Sequence, residues 1–169
     1  MSPRLQILLR CLACIAPFGM VSAALAGAPP SPPVPQFTRA QTHYILGCGG
    51  CHGENGITNS RLVPDLRDQV GYFLNTRQGR EYLVRLPNVA FSTLSDADLA
   101  EVLNFMVFTL GGTSVPAKAA AYTPAEVAPL RRRPLNEVRL LEYRARLVDN
   151  LIAQHGASLR LRVYGGAHY

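Results

Sequence analysis

A chain of 169 residues has room for one domain and an appendage. Its net charge of +6 is unevenly spread: residues 37–117 hold six arginines against seven acids, net −1, and residues 118–169 hold nine Lys or Arg against four acids, net +5. A basic tail first raises a nucleic-acid reading. That class is set aside because no base-stacking pattern accompanies the arginines and the N-terminus directs export, which leaves a solvated helix face or a docking surface for an acidic partner or anionic lipid.

The chain opens with Arg4 and Arg10, an apolar run without charge, and the small-x-small segment Ala24–Leu25–Ala26. This is the layout of a signal peptide over residues 1–26, with export to the periplasm. Pro17, Gly19 and the modest length argue against an uncleaved membrane anchor, and the residues before Cys14 argue against a lipoprotein. Cleavage removes Cys11, Cys14, Met1 and Met20, leaving Cys48, Cys51 and Met106 as the mature sulfur-bearing residues. A proline-rich leader, residues 27–37, follows as an extended spacer.

Residues 38–48 have helical spacing, with Thr38 as N-cap and Phe37 as a staple, and Gly49 and Gly50 loosen the chain next. Gly53 and Gly56 open a loop, and "VPDL", 63–66, starts a turn. A second helix covers 76–86 and is stopped by Pro87. The clearest helix, 93–110, has Ser95 as cap, Asp96 and Asp98 in its first turn, and Leu99, Val102, Leu103, Met106, Val107 and Leu110 on its apolar face. No strand pattern appears between Phe37 and Gly112. Residues 114–135 read as a proline-punctuated connector with a short helix at most, 136–156 as a long helix enclosing Val138, Leu141, Leu147, Leu151 and Ile152 and capped by Gly156, and 160–169 as a frayed tail.

The chemistry concentrates in "CGGCH", Cys48–His52. In an oxidising compartment an isolated cysteine pair normally forms a disulfide. C-x-x-C-H is, however, the spacing for covalent attachment of haem c, one per chain here: two thiols on one turn reach the vinyl groups and the following histidine lies beneath the iron. A thioredoxin-like pair would need strand–helix alternation, and a structural zinc site would need a fourth ligand. No catalytic triad, phosphate loop or paired-carboxylate motif competes.

With these residues the chain resembles a small class I c-type cytochrome. "CGGCHGENG", "VPDLRDQVGYF" and "TLSDADLAEVLNFM" match the family's haem motif, its Pro-x-Leu segment and its last helix, over about residues 38–112. The resemblance implies an all-α class I cytochrome c fold over 38–115, with residues 116–169 as a basic helical extension that has no counterpart in the minimal family. It implies that the Pro64 carbonyl accepts the His52 N–H, that Leu66 packs on the porphyrin, and that the first and last helices cross where Gly47 or Gly49 admits a close approach. The family's sixth ligand is usually a methionine in the loop before the last helix, and here that loop, "LPNVAFST", has none. Met106 is expected as the distal ligand, with a core role as its competitor. Asn88, a histidine among His43, His155 and His168, or an open iron are the alternatives.

The expected function is a one-electron carrier, not an enzyme, between a periplasmic dehydrogenase and a downstream acceptor. The alternatives are a haem protein with an open distal site and a haem subunit of a larger redox complex. Partners are redox proteins, with membrane contact confined to the basic tail or an uncleaved N-terminus. The cysteine reading predicts that changing both Cys48 and Cys51 to Ala abolishes covalent haem in a denaturing gel and yields a poorly folded apoprotein, because the cofactor fills the centre of so small a core.

Overall fold

The helix that carries the cysteines starts where Thr38 and Gln41 cap it reciprocally: the Thr38 hydroxyl accepts from the Gln41 N–H, and the Gln41 side chain accepts from the Thr38 N–H. In the computed structural model, which describes residues 36–58, 63–136, 139–164 and 167–168, α1 spans Arg39–Tyr44. The signal peptide, nearly all of the proline-rich leader, and Val138 lie outside the described residues. Phe37, expected to staple this helix start, is instead 63% exposed, and the Thr42 hydroxyl bonds Thr38 O across the first turn.

From α1 the chain passes without a break through a π-helical turn, Ile45–Gly49, into α2, Gly50–His52. Gly53, at φ +75°, ends it in a backbone region that costs glycine least. A 3₁₀ turn, Val70–Asn75, leads to α3, Arg77–Arg85, which is capped by Thr76. Then come α4, Pro87–Ala90, and α5, Asp96–Asn104, which is capped by Ser95 and carried on by a second π turn, Phe105–Leu110. α6 is Pro124–Arg131 and α7 is Leu140–His155. Gly156 closes α7 at φ +62°. The expected tail carries a 3₁₀ turn, Leu159–Arg162, and a two-residue antiparallel pair, β1 (Val163–Tyr164) with β2 (Ala167–His168). The fold is all-α in class, and no described helix is long and apolar enough to cross a membrane.

α1 packs across α5, and the crossing is made by rings: Tyr44 is fully buried with its ring 5.3 Å from that of Phe105. The expectation that Gly47 or Gly49 admits this approach is not met. A side chain at Gly47 would meet nothing within 4 Å, and one at Gly49 would make only ordinary contacts. The close approaches lie elsewhere. A Cβ on Gly79 would fall 2.2 Å from Phe73 O, and one on Gly71 2.6 Å from Ser114 Oγ. Those two glycines let the Val70–Asn75 turn nest between α3 and the end of α5.

Residues 36–169 form one compact unit, and one core runs through them: Tyr44, Leu66, Leu103 and Val107 share it with Val127, Leu130, Leu147 and Leu151. The change at residue 116 is thus a change of composition, with packing continuous across it. α6, read as a short helix at most, is capped by Thr123 and wedged against α3 and α5. Three polar clamps hold it. Asn104 exchanges two hydrogen bonds with the Tyr122 backbone, at 2.7 and 3.0 Å. Arg80 pairs with Glu126, donates to Ala120 O and Ala121 O, and lies 4.0 Å over the Tyr122 ring. Arg131 donates to Ala90 O, Ser92 O and Leu94 O and pairs with Asp96 at 3.1 Å.

One planar guanidinium fork serves all of these carbonyls. Arg131→Gln should cost about 3 kcal/mol in urea unfolding, because several part-buried acceptors lose their partner together. Arg131→Lys should recover little of it, because a point ammonium cannot span the loop.

Candidate functional site

The π turn at Ile45–Gly49 sets the angular position of the two thiols. It inserts a wide turn into a helix, a feature frequent at functional positions. Cys48 comes out half-buried and Cys51 exposed, both free. Burial first, and the neighbouring Cys51 second, push the Cys48 thiol pKa up. A raised Cys48 pKa is the opposite of the activated thiolate that a thiol–disulfide enzyme needs.

His52 Nδ1 lies 3.0 Å from Pro64 O, and because a carbonyl only accepts, Nδ1 carries the proton. Burial lowers the His52 pKa, opposed by the Pro64 hydrogen bond and by Asp65. The neutral imidazole therefore keeps a lone pair on Nε2, and the second-shell carbonyl fixes the ring.

The segment around this pair is stitched from three directions. Tyr44 Oη donates to Gly53 O at 2.7 Å, just beyond the histidine. The amides of Leu66 and Arg67 both donate to Gly56 O, at 2.8 and 2.9 Å, and Gly56 has φ +80°. Thr58 Oγ1 donates to Cys51 O at 2.8 Å, while Asp65 Oδ1 accepts from Thr58 N at 2.9 Å. The stretch after the histidine and the stretch around Pro64 are thereby locked to one another.

The structure brings together Cys48, Cys51, His52 and Pro64. Leu66, 6% exposed, contributes to the core directly behind them in sequence. Met106 is grouped differently. It is 8% exposed, belongs to the core with Val102, Leu103, Val107 and Leu110, and sits in the π turn that crosses α1. Asn88 and His155 are exposed. His43 faces the first turn of α5, with Nδ1 buried, without a hydrogen bond, and 3.9 Å from Asp98 Oδ1. The backbone of His168 lies in β2. Among the described residues no three His, Cys, Asp or Glu side chains gather as a metal cluster. Two free thiols three apart, followed by an imidazole with only Nε2 unengaged, are nonetheless a donor set that fits a covalently held haem. Tyr44, Thr58 and Asp65 carry no mark of this role in the sequence. Tyr44 falls on the apolar face of its helix, where a hydroxyl gives no signal, and the Thr58–Asp65 link spans a loop without periodicity.

No protein family profile matches the chain, and no solved structure matches it. Two curated relatives do. Cytochrome c-552 of Thermus thermophilus is 27% identical over 118 residues, covering 59% of this chain and 90% of the relative. Cytochrome c-552 of a named strain of the same organism, ATCC 27634, is likewise 27% identical over 118 residues, covering 59% of this chain and 80% of the relative.

Burial above all holds the Tyr44 phenol protonated, pushing its pKa from 10.0 to about 12. A raised folded-state value means that this contribution to stability is complete below pH 10 and lost between 10 and about 12. Tyr44→Phe should cost about 1–2 kcal/mol at neutral pH, for the orphaned Gly53 carbonyl, and should remove that part of the alkaline loss in chemical denaturation.

Proposed function

We propose that the chain is an exported mono-haem c-type cytochrome, a one-electron carrier between a periplasmic dehydrogenase and a downstream acceptor. The observation that carries the reading is the His52 Nδ1–H to Pro64 carbonyl hydrogen bond, next to two free thiols in C-x-x-C-H spacing. The distant likeness to two proteins named cytochrome c-552 supports the same class.

In this reading Cys48 and Cys51 hold the porphyrin covalently, His52 offers Nε2 to the iron, and Leu66 supplies apolar contact. When bound, the haem supplies the Fe(III)/Fe(II) couple. The protein does no bond chemistry. Pro64 keeps the imidazole in one tautomer and raises its basicity, so that His52 Nε2 would bind iron strongly in either oxidation state. The Tyr44, Thr58 and Asp65 bonds hold the segment still, which limits the reorganisation that a change of charge would otherwise impose.

Met106 is proposed as the second side chain that would bind the iron, because it is the thioether left after signal cleavage and thioether with imidazole raises a cytochrome's potential. A second reading, an iron open on one side, draws on two observations: the 86–93 loop contains no methionine, and Met106 is packed among core side chains.

Spectra of the purified protein in both oxidation states, before and after carbon monoxide, test these readings together. A carrier with two strong ligands should show a covalent haem c spectrum that carbon monoxide scarcely changes. Met106→Ala should then abolish the weak near-infrared sulfur band and lower the potential. Full, fast carbon monoxide uptake by the unmodified protein would establish the open iron. Absence of covalent haem would sink both.

A further inference from the structure

The run Arg131–Arg132–Arg133 divides its labour in a way that the tail's overall charge does not reveal. Arg131 turns inward to Ala90, Ser92, Leu94 and Asp96. Arg132 and Arg133 are exposed, and neither makes an ion pair among the described residues. Their turn is nevertheless fixed. Arg133 N donates to Leu130 O at 3.0 Å, Arg85 Nε donates to Arg133 O at 2.6 Å, and Leu135 N donates to Arg85 O at 2.8 Å. Leu135, two residues on, is buried at 4% exposure. Two exposed guanidinium groups on consecutive residues, unpaired among the described residues, are thus carried by a backbone held on both flanks.

Most of the other tail cations are engaged within the protein. Arg139 pairs with Glu142, Arg160 with Asp65 and Arg162 with Asp149, and Arg144 is buried with Nη1 2.8 Å from Leu161 O. The tail's positive charge is therefore concentrated at few points, and the pinned pair is the one where two such groups are adjacent. Lys118 and Arg146 are also exposed, but they stand singly in the sequence.

We propose that Arg132 and Arg133 form a docking point for paired carboxylates on an acidic protein partner. That this partner is an electron donor or acceptor rests on the function proposed above; the binding itself does not. A purely local role would be to offset the negative end of the α6 dipole, which needs only one cation in the last turn and is already served by Arg131. Guanidinium groups match carboxylates in bidentate geometry, and a fixed backbone removes part of the ordering cost that weakens exposed pairs.

The test uses the full mature chain and poly-L-glutamate as an acidic probe, with binding measured at about 50 mM and about 200 mM salt to read the screening. R132Q/R133Q should bind about tenfold more weakly at the lower salt, whereas K118Q/R146Q, which removes the same formal charge, should change affinity less than about twofold. Among the described residues only backbone atoms of Arg132 and Arg133 enter internal hydrogen bonds, so the melting temperature of R132Q/R133Q should stay near that of the parent. A lowered melting temperature with undiminished binding would make the pair a helix-end device and overturn the proposal. Equal losses in the two double variants would also overturn it, by showing a response to net charge alone. Tighter binding to phosphatidylglycerol vesicles than to the polypeptide, lost in R132Q/R133Q, would assign the face to a lipid surface instead. A haem stain of the same preparation separates this outcome from the functional reading, since failed haem attachment leaves the polyglutamate result standing.

Discussion

Tyr44 is the point at which packing and chemistry depend on one side chain. Its ring is sealed against Phe105, where α1 crosses the end of α5, and its hydroxyl holds the carbonyl of Gly53, the residue after His52. Helices of six and nine residues are too short to be stable alone and gain their stability from burial against each other. The turn that displays Cys48, Cys51 and His52 therefore inherits its position from this crossing. Both helices widen into π turns where they meet, so the register that brings Tyr44 to Phe105 also rotates the cysteines to their places.

The C-terminal third completes this arrangement from outside. α6 and α7 bury Val127, Leu130, Leu147, Val148 and Leu151 in the same core that Tyr44 enters. Asp96 and Asp98, two residues apart in the first turn of α5, face different neighbours: Asp96 takes Arg131 from the tail, and Asp98 takes Arg39 from α1. One helical turn is thus gripped by α1 on one side and α6 on the other, and the extension belongs to the architecture that supports the cysteine turn.

Much of this was legible in the residues. Thr38 and Ser95 announced their helices because a cap is a local event, completed within three residues. The C-x-x-C-H spacing is equally local, whereas the pairing of Pro64 with His52, across a loop, was legible only through the family resemblance. What escaped were contacts between residues some forty positions apart. Arg131 belonged to a tail read as a solvated or docking face, and Arg80 and Arg85 carried no reading, because nothing in their own neighbourhoods marks the carbonyls they reach. The glycines misled for a related reason. Gly47 and Gly49 stand in the conspicuous motif yet touch little, whereas Gly71 and Gly79 are where backbones meet. The long helix begins at Leu140, four residues later than Asn136, because the preceding turn is tied to Arg85 through Leu135.

The Arg131 clamp has a metric consequence. Its acceptors are the carbonyls of residues 90, 92 and 94, followed by the Asp96 side chain, an alternation of two along an irregular stretch. Adding or deleting one residue would turn the wrong set toward the guanidinium. Surface connections ordinarily absorb changes of length at little cost. This one counts its residues as strictly as a strand in a sheet, so its length belongs to the fold as firmly as that of any helix.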